Sequence, residues 1–235
     1  MTSWCSSQMV SVFLQAASMI PTPDLSHLKA SDYDKVYEPA EDTFILLDAI
    51  EEDVEEIKRN RPNLCYEIGP GSGCVSAFIA SILKSSTLYL SSDINPYAVS
   101  CTRRTGVQNG HTLDVIQASL YDNIRIQRSA DLLLFNPPYV PTEYEESTLA
   151  QQNQDISGAW AGGNIGMDLT NKVLENLDNL LSDNGVMYLV AIRQNNPQDI
   201  CQNLNSSGSF DAKILISRRA GRETLFVIKC ARIRN

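Results

Sequence analysis

The chain reads as an α/β protein built on a mostly parallel sheet, and three features predict this. Apolar runs of strand length alternate with segments of helical period, a glycine-rich turn follows the first such run, and the chain closes on two strand-like runs around a turn. Strand–helix–strand alternation implies parallel βαβ units with right-handed crossovers and helices on both sheet faces. The closing pair implies an antiparallel hairpin.

From Pro39 onward the pattern is helical: Phe44, Leu47, Ile50, Val54 and Ile57 recur at three- and four-residue spacing with acids between them. The runs Glu51-Glu52-Asp53 and Glu55-Glu56 read as the wet face of that helix. After a polar break comes the apolar run Leu64–Ile68, then the turn Gly69-Pro70-Gly71-Ser72-Gly73 and a helix to about Leu83. A strand over residues 87–92 ends in Asp93, and Pro96 suits the first turn of a helix reaching about Gln108. Residues 113–117 and Ala130–Phe135 read as two more strands.

Residues 136–166 are polar, glycine-dotted and without period, and a loop that long inside a compact domain points to function. Leu169, Val173, Leu177, Leu180 and Leu181 mark an amphipathic helix, followed by a strand over 185–192 and a helix after Pro197. Residues 210–217 and 223–230 form the closing pair, with Arg218, Arg219 and Arg222 at a solvated tip.

Composition bounds the function. At 235 residues, with 43% hydrophobic and 20% charged, the chain suits one domain, taken as residues 37–235 behind an extension of residues 1–36. Nineteen basic against 28 acidic residues give a net charge of −9, which disfavours a polyphosphate partner. Six scattered cysteines without a C-x-x-C pair, and only His27 and His111, offer no metal site. The cysteines read as buried apolar groups of a reducing compartment. The first twenty residues carry no Lys or Arg and are interrupted by Gln8 and Gln15, unlike a signal peptide or a membrane span. A soluble protein of the cytoplasm is expected, a nuclear pool being allowed, with no membrane partner.

The glycine turn, Asp93 and Asn136 all fall at predicted strand ends, on the rim where parallel sheets bind ligands. Gly69, Gly71 and Gly73 permit a tight turn and close backbone approach to a ligand. A plain structural turn and a dinucleotide fingerprint are alternatives, but the fingerprint needs G-x-G-x-x-G and a pyrophosphate. Here the spacing is G-x-G-x-G with Glu67 just before it, which suits an amine-bearing ligand better. Asp93 can accept hydrogen bonds from ribose hydroxyls, or alternatively cap the next helix. The two acids together favour S-adenosylmethionine.

Phe135-Asn136-Pro137-Pro138-Tyr139 is the sharpest signal. Consecutive prolines hold the backbone extended and withhold amide donors, leaving the Pro137 carbonyl beside the Asn136 side-chain carbonyl. Two neighbouring acceptors can grip a planar NH2 group, turn its lone pair toward an electrophile and stabilise the positive charge that develops on nitrogen. Tyr139 can stack on the flat group, and no general base is needed. Trp160 either lines the substrate loop or anchors it.

Glu67-Ile68-Gly69-Pro70-Gly71-Ser72-Gly73 with Asn136-Pro137-Pro138-Tyr139 resembles the class I S-adenosylmethionine-dependent methyltransferases that modify amide or exocyclic amino nitrogens. The upstream Val36-Tyr37-Glu38-Pro39-Ala40-Glu41-Asp42-Thr43 and the downstream Ala159-Trp160-Ala161-Gly162-Gly163 narrow the resemblance to the eukaryotic and archaeal branch of the HemK-type glutamine methyltransferases, over residues 37–229. It implies a Rossmann-like, seven-stranded, mostly parallel sheet with a C-terminal antiparallel hairpin. It also implies N5-methylation of the glutamine in the Gly-Gly-Gln motif of the class I peptide-chain release factor.

By the same resemblance Thr43, Glu67, Gly69, Asp93 and Leu120 contact the cofactor, with Tyr37, Gly71, Gly73, Ile94, Ser119 and Asn136 completing its site. Asn136, Pro137, Pro138, Tyr139 and Val140 hold the target, and Asn136, Pro137 and Tyr139 carry the catalysis. Ser119 stands where the family usually has an acid for the adenine amino group, and Asp122 is a candidate substitute. Eukaryotic members of the family pair with a small zinc-ribbon activator. Residues 113–117, as an edge strand with apolar Leu113, Val115 and Ile116, provide a template for strand addition. The alternatives are an adenine-N6 methyltransferase on DNA or RNA, disfavoured by the charge, and a protein-lysine methyltransferase, for which Asn136 offers no base. A non-enzymatic scaffold for the activator is opposed by the intact Glu67, Asp93 and Asn136.

Overall fold

The computed structural model describes residues 20–83, 86–138 and 167–234. Its centre is one seven-stranded sheet: β1 (Leu64–Ile68), β2 (Leu88–Asp93), β3 (Asp114–Gln117), β4 (Ala130–Phe135), β5 (Leu181–Ile192), β6 (Phe210–Ala220) and β7 (Glu223–Arg232), in the order β3-β2-β1-β4-β5-β7-β6. The first five strands are parallel, and β7 runs antiparallel between β5 and β6. The chain builds outward from β1 to β3, then returns to place β4 on the other side of β1. The β1/β4 boundary is therefore the switch point, where Ile68 pairs with Phe135.

Alternation along the strands explains why both sheet faces are buried. Cys65, Leu132, Leu134, Tyr188 and Val190 point into one core, whereas Tyr66, Leu133, Phe135, Met187 and Leu189 point into the other. The first core is covered by α2 (Glu41–Glu52), α3 (Val54–Asn60) and α4 (Cys74–Leu83). The second is covered by α6 (Asp168–Glu175), α7 (Leu177–Leu180) and α8 (Pro197–Ser206). The short α1 (Ala30–Tyr33) precedes α2, and α5 (Pro96–Gln108) joins β2 to β3. Of the expected extension, Ile20 N–H donates to Glu51 of α2, and the part from Asp24 packs along α5, with Leu28 and Val36 buried against Ala98 and Cys101.

Five expectations are corrected. The helix expected from Pro39 through Ile57 breaks at Asp53, and Phe44 stands exposed while Ile45, Leu46, Ala49 and Ile50 are buried. The acids of that break are not simply a wet face. Lys229 on β7 is 5% exposed, and its ammonium is held by Asp53 at 2.7 Å and Glu56 at 2.8 Å. A buried cation needs such partners, and Tyr188 donates its hydroxyl to the same Asp53 carboxylate at 2.8 Å.

Leu181 is the first residue of β5 rather than the last of a helix, because the preceding segment ends in the separate turn α7. The basic cluster is not a single solvated tip either. β6 continues through Arg218, which pairs with Asp48 of α2, and the turn itself is confined to residues 221–222. Strand β3 starts at Asp114, one residue later than expected, and is an edge of the sheet with Val115 buried and Ile116 exposed. Cys65, Cys74, Cys101, Cys201 and Cys230 are buried free thiols.

Gly73, just before α4, packs against α5. A Cβ there would lie 2.7 Å from the Thr102 Cα, and the backbone has φ of +82°. Strain and overlap add, so Gly73→Ala is expected to destabilise the fold by on the order of 3 kcal/mol, read as a lowered Tm in thermal unfolding.

Candidate active site

One cleft lies above the carboxyl ends of β1, β2 and β4. Of the residues expected there, Tyr37, Thr43, Glu67, Gly69, Gly71, Asp93, Ile94, Ser119, Leu120, Asn136, Pro137 and Pro138 line it. Gly73 does not: its missing side chain makes room for α5. Tyr139, Val140 and Trp160 lie outside the described residues. Asp122 does not line the cleft itself but an adjoining surface depression that shares Ser119 and Leu120 with it and also holds Lys172 and Glu175.

The turn after β1 is held from below. Gly69 N–H donates to the Ser92 carbonyl at 2.8 Å, and Gly71 N–H to Asp93 Oδ2 at 3.2 Å. Thr102 and Thr105 of α5 donate their hydroxyls to the Gly71 and Ser72 carbonyls at 3.2 and 2.6 Å. The second Asp93 oxygen accepts from Asn95 N–H at 2.9 Å. The residue capping α5 is Asn95, whose Oδ1 accepts from Tyr97 N–H at 2.9 Å while its Nδ2 donates to the Lys35 carbonyl at 2.7 Å. That second bond ties the segment before Val36 and Tyr37 to the cleft wall. An Asn directly before a proline at the first helical position is the sequence signal that could have identified this cap.

On the far wall, Leu120 adopts φ of +49°, and its carbonyl accepts from the Tyr66 hydroxyl at 3.0 Å and from the Ser92 hydroxyl. These bonds fix the chain that carries Ser119 and Leu120 along the cleft.

At the reactive end, Asn136 Nδ2 donates to Asp42 Oδ2 at 3.0 Å. Asp42 Oδ1 accepts from Thr43 N–H at 2.7 Å and from the Tyr37 hydroxyl at 3.1 Å. Asn136 Oδ1 is buried and finds no partner among the described residues. An acceptor left so is costly, and native structures rarely keep one without a use. Asp42 was missed as a site residue, although it lies within the same acidic segment as Glu41 and Thr43.

Two acids of the cleft are shifted by their surroundings. Glu67 is 3% exposed and burial raises its pKa to about 7, against the Ser76 hydroxyl bond that favours the charged form. Burial likewise raises Asp93 to about 6, opposed by the N–H bonds of Asn95 and Gly71. Glu67 before a turn of open backbone and Asp93 beyond it suit the ammonium and the ribose of S-adenosylmethionine, and the Asn136 acceptor, unpartnered among the described residues, suits an N–H of the group that accepts the methyl.

Both acids have folded-state pKa values above their ordinary ones, so their contribution to stability is complete below about pH 4 and is lost as pH rises through 6 to 7. A bound ammonium reverses that loss by stabilising the Glu67 carboxylate. The rise in Tm caused by S-adenosylmethionine is therefore expected to be larger at pH 8 than at pH 5.5, and Glu67→Gln to flatten most of the difference in a thermal-shift series.

Comparison with known proteins identifies the family. Residues 43–154 match the model of the methyltransferase small domain. The chain is 41% identical over 229 residues to the eRF1 methyltransferase catalytic subunit mtq2 of Schizosaccharomyces pombe, covering 92% of this chain and 98% of that one. It is 39% identical over 216 residues to the Homo sapiens methyltransferase HEMK2, covering 91% and 98%. Among solved structures, the E. cuniculi Mtq2–Trm112 complex, responsible for methylation of the eRF1 translation termination factor, superposes with a TM-score of 0.62. Its sequence identity is 26%, and the match covers 84% of this chain and 99% of that one. At this identity and coverage the chain belongs to the HemK-type release-factor glutamine methyltransferases, a family of class I S-adenosylmethionine-dependent enzymes.

Proposed function

We infer that this chain is the catalytic subunit of a protein-glutamine N5-methyltransferase acting on the Gly-Gly-Gln motif of the class I release factor. The observation that carries the reading is the buried Oδ1 of Asn136 at the switch point, unpartnered among the described residues, beside a cleft with two carboxylates suited to the cofactor. The relatives named for eRF1 methylation support the substrate.

A carboxamide nitrogen is a poor nucleophile because its lone pair is delocalised into the carbonyl. Asn136 Oδ1 can accept one N–H of the target amide, and the Pro137 backbone carbonyl is the candidate for the other. Two such acceptors hold the NH2 group, rotate its lone pair toward the cofactor and stabilise the positive charge that develops. S-adenosylmethionine, when bound, supplies a methyl carbon on a sulfonium sulfur. Glu67 holds the ammonium end of that molecule and Asp93 its ribose. The amide proton leaves to solvent after the N–C bond has formed, so no side chain must act as a base. Tyr139 and Val140 are proposed to complete the target pocket.

The same reading includes a small zinc-ribbon activator docked on the β3 edge, where Ile116 is exposed beside the open strand. The solved Mtq2 relative is a complex with Trm112. A cytoplasmic location, with a nuclear pool, belongs to the proposal as well. An adenine target draws no support from the relatives, and the net charge of −9 opposes it.

The test is co-expression with the activator, incubation with release factor and cofactor, and mass spectrometry of the Gly-Gly-Gln peptide; absence of a methylated glutamine in that peptide defeats the reading. Asn136→Ala is expected to lower turnover by about 100-fold or more while leaving cofactor affinity, by calorimetry, within about threefold of wild type.

A further inference from the structure

We propose that Asp42 is a positioning residue whose carboxylate decides which way round the Asn136 amide stands, making the substrate grip an acceptor of N–H instead of a donor. The proposal rests on the glutamine-methylation reading above. The oxygen and nitrogen ends of a carboxamide are nearly equal in size, so packing alone does not choose between them, and hydrogen bonding must. A grip presenting its NH2 to another NH2 would repel the target.

The choice is made one residue at a time. The Thr43 backbone N–H can only donate, and it reaches Asp42 Oδ1 at 2.7 Å. The Tyr37 hydroxyl reaches the same oxygen at 3.1 Å. The remaining oxygen, Oδ2, lies 3.0 Å from the Asn136 side-chain nitrogen. As a carboxylate, Asp42 only accepts, so Asn136 must meet it with its NH2 and keep Oδ1 for something else. That Oδ1 is buried and unpartnered among the described residues. Asp42 is itself 4% exposed, which shields this charge-assisted bond from water.

The isosteric variant separates orientation from packing. In Asp42→Asn, the Thr43 N–H and the Tyr37 hydroxyl claim the new amide oxygen, which turns its NH2 toward Asn136. Asn136 then rotates to accept with Oδ1 and offers its own NH2 to the target. Asp42→Ala removes the constraint and leaves Asn136 able to adopt either orientation. The expected order of kcat is therefore wild type above Asp42→Ala, with Asp42→Asn no better than Asp42→Ala, whereas a space-filling role predicts Asp42→Asn close to wild type.

The experiment measures kcat and KM for the Gly-Gly-Gln substrate, using each variant in complex with the activator, alongside cofactor affinity by calorimetry and Tm. Support is a loss of about 100-fold in kcat for Asp42→Asn, with cofactor affinity and Tm near wild type. Turnover of Asp42→Asn within about threefold of wild type overturns the proposal, as does a loss of cofactor affinity that accounts for the loss of activity. If Asp42→Asn does not fold, Asp42→Ala decides: a fall of about tenfold or more in kcat at unchanged cofactor affinity supports the role, and unchanged kcat removes it. A wild-type complex inert on the peptide overturns the glutamine reading and this proposal together; an active wild type with an equally active Asp42→Asn overturns this one alone.

Discussion

Ile68 and Phe135 pair in register at the carboxyl ends of β1 and β4, and beyond that pair the chain departs to opposite sides of the sheet. The glycine turn leaves from one strand end and Asn-Pro-Pro from the other, so the two become neighbours in one cleft although 67 positions separate Gly69 from Asn136. Every distance in the cleft depends on this register. A slip of one residue would turn Glu67 and Ile68 over and exchange their faces.

The protein buries polar groups in two settings. Away from the cleft, Lys229 has Asp53 and Glu56 and Tyr188 has Asp53, whereas His27 Nδ1 finds no partner among the described residues. Cleft groups are left short of what they need. Glu67 and Asp93 are pushed up in pKa by burial, and Asn136 Oδ1 lacks a donor among the described residues. Further hydrogen bonds tie the cleft walls together: Asn95 to the Lys35 carbonyl, the two threonines of α5 to the turn, and Asn136 to Asp42.

Most of the scaffold was legible because local patterns and tertiary demands agree. β1 and β4 were readable to the residue, since fully buried strands are short apolar runs bounded by turn chemistry. The helix from Pro39 was misread in length, because its break at Asp53 answers to Lys229, a residue 176 positions away. Arg218 was misread as part of a turn for the same kind of reason: its partner Asp48 lies on a helix at the other end of the chain. Gly73 carried a turn signature, but its constraint comes from the Thr102 backbone.

The amino-acid sequence by itself determined the order of strands and helices, the glycine turn, the paired acids and the Asn-Pro-Pro rim, because each is a local choice of residue type and period. Only the tertiary structure decided that Asp42 stands behind Asn136, that Asp122 stands outside the cleft, and that Asn95 instead of Asp93 caps α5. Those outcomes depend on which backbone donors and carboxylate oxygens come within about 3 Å of one another. Such proximity between distant segments is set by packing two cores against one sheet, and no spacing along the chain records it.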